Sequence, residues 1–361
     1  MTHFKHAFWV FFLVFLFGCK KNTVNPTATS IYFPPKAGSW ATANLDSLGW
    51  NKAALADLNG FLERGNTRAF LILKDGKIAH EIYFGKELRG DKPFGNTSLW
   101  YWASAAKTLT STLIGIAQQE GMLKIEESSQ KYLGKGWSSL SPEQEQKITI
   151  KNHLTMTTGL DDSNFDCTKP ECLKYLAEPS TRWAYHNAPY TILDQILSSA
   201  SRMSFDDFFN TRLQAPLGMS GIWSYAGYNH LYISDARSMA RFGICILAKG
   251  KWQDKQIINE AYLAEMLATS QGINPSYGYL WWLNGKSKFM APGSQMVFNT
   301  SLAPNAPTDA VCALGKNGQI IDVVPSQNLV VVRMGENPDP SNVPLVYHDE
   351  LWEKINAVVK K

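Results

Sequence analysis

The sequence predicts an α+β fold, an antiparallel sheet flanked by helices with a mostly helical block set between its strands. Three observations carry this. Residues 69–84, "AFLILKDGKIAHEIYF", are two apolar runs around Asp75-Gly76, the composition of a β-hairpin. Residues 319–335, "QIIDVVPSQNLVVVRMG", are two further strand-like runs joined by Pro-Ser-Gln-Asn. Between them, from about Ile125 to Trp223, apolar residues recur mostly at helical spacing, interrupted by polar loops. Hairpin-joined strands at both ends of a chain, without strand–helix alternation, favour an antiparallel sheet with helices gathered around it.

The elements follow in order. Residues 1–19 read as an export signal: Lys5 precedes the eleven-residue apolar run "AFWVFFLVFLF" (Ala7–Phe17). That run is too short to span a bilayer as a helix and suits a signal-peptide core. It ends in Leu16-Phe17-Gly18-Cys19, similar to a bacterial lipobox, so Cys19 is the expected lipidation site. The expected product is an exported lipoprotein anchored to a membrane and facing the periplasm. Residues 20–40, "KKNTVNPTATSIYFPPKAGSW", read as a polar tether. One domain is expected over 41–361, with its α/β part at about 41–124 and 224–361 and its helical part at about 125–223. Within it, Ser104–Gly121 and Ile233–Gly250 each have helical spacing and stop at a glycine, and His348–Lys361 reads as a last helix.

Composition narrows the chemistry. The net charge of +4 comes from scattered basic residues, which leaves no nucleic-acid footprint. A hydrophobic content of 45% with 12% aromatic residues excludes a disordered chain. Cys245 and Cys312 sit in apolar runs and read as small core residues. Cys167 and Cys172 bracket "CTKPEC", a spacing open to a local disulfide in an oxidising compartment. There is no His-Glu-x-x-His and no Cys-x-x-Cys pair, so no metal and no cofactor is expected.

The candidate chemistry starts at Ser104-Ala105-Ala106-Lys107. On a helix, i and i+3 share a face, so serine and lysine point the same way. The unpaired N–H groups of a helix start favour negative charge on the serine. A lysine desolvated by apolar neighbours loses its proton more readily and can serve as a base. The pattern alone is weak: Ser128-Ser129-Gln130-Lys131 repeats it in a polar stretch expected to be solvated. Two further motifs add weight, Tyr185-His186-Asn187 and Lys316-Asn317-Gly318. The second is also weak singly, because Lys74-Asp75-Gly76 matches it within a hairpin turn.

Taken in order, Ser-x-x-Lys, Tyr-x-Asn and Lys-x-Gly resemble the penicillin-recognising serine hydrolases: class C β-lactamases, DD-peptidases and related esterases. The segments "ITIKNHLTMTTGL" (148–160), "FFNTRLQAPLGM" (208–219) and "YGYLWWLN" (277–284) extend the resemblance over most of Leu45–Val359. It implies the β-lactamase/DD-peptidase-like fold and the following roles. Ser104 is the nucleophile that forms an acyl-enzyme, and Lys107 takes or shares its proton. Tyr185 acts as general base or proton relay, its phenol, ordinarily near 10, lowered by Lys107 and Lys316. Asn187 bonds Lys107 or the substrate, Lys316 and Asn317 meet the substrate, and Gly318 lets the backbone approach it. The N–H groups of Ser104 and Gln319 form the oxyanion hole. His186 is read as a wall or surface residue.

Departures bear on substrate. There is no Gly-x-Ser-x-Gly elbow and no Glu-x-x-Leu-Asn segment between the second and third motifs. Asn317, followed by Gln319, stands where β-lactamases carry a hydroxyl residue that helps bind the penicillin carboxylate. The expected function is therefore hydrolysis of small esters or amides. A class C-like β-lactamase or a DD-peptidase acting on cell-wall peptides is the alternative. A catalytically silent binding protein would have lost Ser104, Lys107 or Tyr185, and none is lost. Trp100, Trp102, Trp183, Trp281 and Trp282 fit either a cleft wall or core packing.

Overall fold

Helix α1 (Leu55–Arg64) leads into strands β1 (Thr67–Lys74) and β2 (Lys77–Tyr83) in the computed structural model, which describes residues 1–3, 30–164, 167–341 and 343–359. The hairpin turns on Asp75 (φ 52°) and Gly76 (φ 80°), two successive left-handed residues of the kind an Asp-Gly pair tolerates. Strand β3 (Trp100–Tyr101) precedes a 3₁₀ turn (Ala103–Ala106) that runs into α2 (Lys107–Gln119). Every residue of α2 from Lys107 to Ala117 is buried, its polar residues included; Thr108, Ser111 and Thr112 turn their hydroxyls to backbone carbonyls one turn earlier.

The middle block holds α3 (Asn187–Ser201) and several helices of one or two turns. Capping boxes at Ser141/Gln144 and Thr149/Asn152 start two of these short helices. Long loops separate them, so the block is less helical than its spacing predicts. Strands β4 (Ile222–Ala226) and β5 (Asn229–Ser234) form a second hairpin beside β3, and α4 (Ala236–Leu247) follows, capped by Asp235. After β6 (Trp282–Leu283) and the small β7 (Phe289–Met290)–β8 (Val297–Phe298) hairpin come β9 (Val311–Gly315), β10 (Gln319–Val324) and β11 (Leu329–Gly335). Helix α5 (Leu345–Val359) closes the described chain.

The main sheet has the order β2-β1-β11-β10-β9-β6 and is antiparallel throughout. Leu71 lies opposite Val332, and Val332 opposite Ile321, so the two ends of the chain share the centre of one sheet. Every residue of β9, β10 and β11 is buried, because both faces are covered. Helix α4 covers one face; a Cβ on its Gly243 would stand 2.5 Å from a Val330 methyl, so glycine sets how closely helix and sheet pack. Helix α5 covers the other face, where the buried Asp322 carboxylate accepts from His348 Nε2 and Trp352 Nε1, both at 2.7 Å.

Two expectations change here, and one open choice is decided. The fold already begins at Ile31, not at 41. Tyr32 N donates to Asp75 O at 2.9 Å, Phe33 packs edge-on to Trp252, and Arg241 Nη1 donates to Pro34 O at 3.2 Å. Ser128 and Ser129 are buried rather than solvated, with Ser129 Oγ 2.9 Å from His153 Nε2. Trp100, Trp102, Trp183, Trp281 and Trp282 are all core residues. Cys167 and Cys172 form a disulfide, and Cys245 and Cys312 are buried thiols. Cys19 and the apolar run before it lie outside the described residues. Among the described residues no helix is long and apolar enough to cross a membrane.

Candidate active site

Ser104 sits on the turn between β3 and α2, and the residue before it, Ala103, has φ 47°. An alanine in left-handed backbone is strained by about 1–2 kcal/mol and persists only where its surroundings hold it. Trp102 does the holding on one side: it is fully buried, its N donates to Tyr232 O at 2.9 Å and its Nε1 to Ser234 Oγ at 2.7 Å. Gly315, the last residue of β9, presses from the other side. A Cβ there would lie 2.6 Å from Trp102 O and 3.0 Å from Ala105 N. The serine turn is thus wedged between the two sheets.

Lys107 is 4% exposed, and its Nζ donates to Ser104 Oγ at 3.1 Å. Among the described residues it has no carboxylate partner. Its ammonium lies over the Tyr190 ring, 4.2 Å from the centroid, and over the Tyr185 ring at 5.2 Å. Burial lowers its pKa to about 7, so the free amine is available near neutrality. Tyr185 borders the same cavity as Ser104. Burial pushes its phenol up, against the expectation that neighbouring cations lower it; the Ser104 hydroxyl opposes the rise only in part. Desolvation outweighs the cations because Lys107 is itself readily neutral. His186 is buried, not at the surface, and burial lowers it to about 4.

Asn187, the first residue of α3, donates from Nδ2 to Tyr228 Oη at 3.2 Å, while its Oδ1 is buried without a partner. It does not bond Lys107 in this structure. Tyr228 stands at the tip of the β4–β5 hairpin and closes one side of the site.

The Lys-x-Gly tripeptide is the tip of the β9–β10 hairpin, where Gly315 pairs with Gln319. Asn317 (φ 63°) and Gly318 (φ 70°) are both left-handed, the Asn-Gly turn that tight hairpins favour. A β-branched threonine would be strained here, which gives Asn317 a conformational reason to stand at this position. Its Nδ2 donates to Tyr101 Oη at 2.7 Å. Lys316 is exposed and faces the same cavity as Ser104.

Gln319 and Gly318 require correction. Gln319 is fully buried beneath the turn: its Nε2 donates to Gly335 O at 2.6 Å, and its Oε1 accepts from Gly335 N at 3.1 Å. Gly318 faces inward, where a Cβ would stand 2.5 Å from Arg333 Nη1. Neither lines the cavity, because the turn directs both away from Ser104. The close approach expected of Gly318 belongs to Gly315.

The cavity encloses about 530 Å³. Ser104, Lys107, Tyr185, Asn187, Lys316 and Asn317 all border it, together with Tyr101, Tyr190, Tyr228 and His230, which sequence reading missed. Asn317-Gly318 is a readable hairpin signal; nothing local marks the tyrosines as cavity residues. Among the described residues the one carboxylate bordering it, Asp162, is bound to Arg182 at 2.8 Å. Elsewhere, Cys312, Asp322 and His348 come together with the spacing of metal ligands. Asp322 Oδ2 already accepts two N–H bonds there, so the group reads as a network tying α5 to the sheet.

The family model described as Beta-lactamase matches residues 63–345. Penicillin-binding protein 4* of Bacillus subtilis is 30% identical over 169 residues, 42% of this chain and 36% of that protein. The chain thus matches little more than a third of that relative's length. A protein of Escherichia coli named beta-lactamase is 22% identical across 80% of this chain and 88% of its own. Among solved structures, a Bacillus anthracis protein named as a 6-aminohexanoate-dimer hydrolase superposes with a TM-score of 0.65 at 19% identity, covering 90% of this chain and 88% of that one. That likeness concerns the fold. With a family match across most of its length, around a serine turn and its buried lysine, the chain belongs to the Beta-lactamase family of serine hydrolases.

Proposed function

We propose that this hydrolase cleaves small esters or amides through an acyl-enzyme on Ser104. The observation that carries this reading is Lys107 Nζ at 3.1 Å from Ser104 Oγ, buried, with no carboxylate among the described residues to hold its proton. The free amine takes the Ser104 proton as Oγ attacks the substrate carbonyl carbon. The oxyanion meets the N–H groups of Ser104 and Lys316, since Gly315–Lys316 is where β9 reaches the serine turn. As the tetrahedral intermediate collapses, the bond to the leaving alcohol or amine breaks. Tyr185, a phenol kept protonated by burial, gives that group its proton and is reprotonated from Lys107. Water then attacks the acyl carbon, its proton returning through Tyr185 and Lys107, and Ser104 is released with the acid product.

Substrate preference follows from the Lys316–Gly318 turn. It carries no hydroxyl, and the Asn317 amide is engaged by Tyr101, so only Lys316 is left to meet a substrate carboxylate. A lost hydrogen bond to a charged group costs about 1.5–3 kcal/mol, roughly 10- to 150-fold. Esters and simple amides are therefore preferred over β-lactams. The apolar run and lipobox-like segment ending at Cys19 support an exported, lipid-anchored protein.

The test is a side-by-side assay of p-nitrophenyl acetate and butyrate, a chromogenic cephalosporin and a D-Ala-D-Ala peptide. Ester turnover is expected to lead by at least tenfold. Faster cephalosporin turnover would make β-lactams the substrate. For the anchor, Cys19→Ala is expected to abolish palmitate labelling and release the protein from membranes; continued membrane association in a wild type that takes no lipid label would refute lipidation.

A further inference from the structure

Arg333 interrupts the apolar strand "LVVVRM" of β11 and is fully buried. Burial works against its charge, and no carboxylate among the described residues offsets it. Its guanidinium instead donates to backbone carbonyls and two hydroxyls. Nη1 reaches Asn317 O at 2.9 Å and Gly318 O at 2.6 Å; Nη2 reaches Gly65 O and Glu336 O; Nε reaches Thr67 Oγ1 at 3.0 Å and Tyr347 Oη at 3.2 Å. Gln319 Nε2 adds longer bonds to Lys316 O at 3.3 Å and Asn317 O at 3.4 Å. The carbonyls of all three turn residues therefore point down onto one buried floor.

A buried cation without a counter-charge is costly unless its donors are all used. Here most of them are used, and two go to the turn that borders the active site. In a trans peptide the N–H points opposite the C=O. Drawing the carbonyls of Asn317 and Gly318 inward fixes the two peptide planes that follow Lys316, and with them the turn that carries its side chain. It also holds Asn317 and Gly318 in left-handed backbone.

We propose that Arg333 is a positioning residue for hydrolysis: its guanidinium clamps the Lys316–Gly318 turn from below and so keeps the turn, and Lys316 at its start, in place beside Ser104. This rests on the reading of Ser104 and Lys316 given above. Arg333 touches no substrate. Its fixed charge behind the turn also favours negative charge developing above it.

The decisive comparison is Arg333→Lys, which keeps the charge and loses the planar fork, beside Arg333→Met and a core control, Val331→Ala. Three measurements are made on each folded variant: melting temperature, ester kinetics with affinity for a boronic acid that mimics the tetrahedral intermediate, and amide hydrogen exchange of residues 315–319. Arg333→Lys is expected to lower kcat by about 10-fold and Arg333→Met by about 100-fold, the latter at the lower end of the range seen when one oxyanion donor is lost. KM should move by less than threefold, boronate affinity should fall in step with kcat, and exchange at 315–319 should quicken. Val331→Ala should lower the melting temperature without these changes. If Arg333→Met does not fold, Arg333→Lys alone decides. Arg333→Lys with kcat and boronate affinity within twofold of wild type, or with unchanged exchange at 315–319, overturns the proposal, as does a kcat loss in Val331→Ala equal to that of Arg333→Lys. Should the wild type cleave no ester and bind no boronate, the Ser104 reading fails. Exchange at 315–319 then still decides whether Arg333 holds the turn.

Discussion

Asp75 and Gly76 turn with φ of 52° and 80°; Asn317 and Gly318 turn with φ of 63° and 70°. Each pair follows a lysine, and each joins two strands of the same sheet. The turns differ in what fills the space beneath them. A Cβ on Gly76 would strike Tyr32 O, a backbone atom of the amino-terminal segment, whereas one on Gly318 would strike the Arg333 guanidinium. Lys74 spends its ammonium on Gln327 O at 2.8 Å and on Asp75, while Lys316 faces the cavity. The two Ser-x-x-Lys segments repeat the lesson. Lys107 is buried with only a hydroxyl and two aromatic rings for company, whereas Lys131 is solvent-exposed and paired with Glu127. A three- or four-residue pattern specifies a turn or a helix face. Its neighbours in space decide whether it becomes a site.

The largest expected effect separates the two serines. A fluorophosphonate probe should label wild type at Ser104 and leave Ser104→Ala unlabelled, with ester turnover down by about a thousandfold or more. Ser128→Ala should keep full activity and lose about 1 kcal/mol or less in a denaturant titration, since its hydroxyl makes only long bonds of 3.3 and 3.5 Å. Labelling of Ser128 would erase the distinction.

The lysines sharpen it next. With Lys107 lowered to about 7, its amine is free above that pH and protonated below, so kcat/KM should rise with a midpoint near pH 7. A midpoint near 10 would show that burial does not govern this group. Lys107→Met should abolish the rise together with most of the activity. Lys131→Met should leave the profile alone and change stability little, because an exposed i,i+4 pair is screened by solvent.

Smaller effects compare the turns themselves. Lys316→Ala should raise KM about tenfold for esters bearing a carboxylate and little for neutral ones, while Lys74→Ala should move neither. Asn317→Thr and Asp75→Thr should each cost about 1–2 kcal/mol in denaturant titrations, because a β-branched residue resists left-handed backbone. Only the Asn317 variant should also alter turnover. Equal loss of turnover in both would mean that global stability, not the site, is being read.

Local signals in the chain were enough for the hairpin at Asp75-Gly76 and the helices beginning near Lys107 and Ala236. Each is written in neighbours a few positions apart: turn residues, apolar period, a cap. Asn317-Gly318 was equally local, yet its reading as a substrate motif hid the hairpin turn it forms, and with it the inward course of Gly318 and Gln319. What the sequence could not supply depends on segments far apart in the chain. Gly315 is tight because β9 is packed against the Ser104 turn, and Lys107 is lowered to about 7 because elements from across the chain, α3 among them, remove it from water. Arg333 is tolerated because Gly65, Thr67, Asn317, Gly318, Glu336 and Tyr347 converge on it. Burial and charge are properties of that three-dimensional surrounding, so only the tertiary structure assigns them.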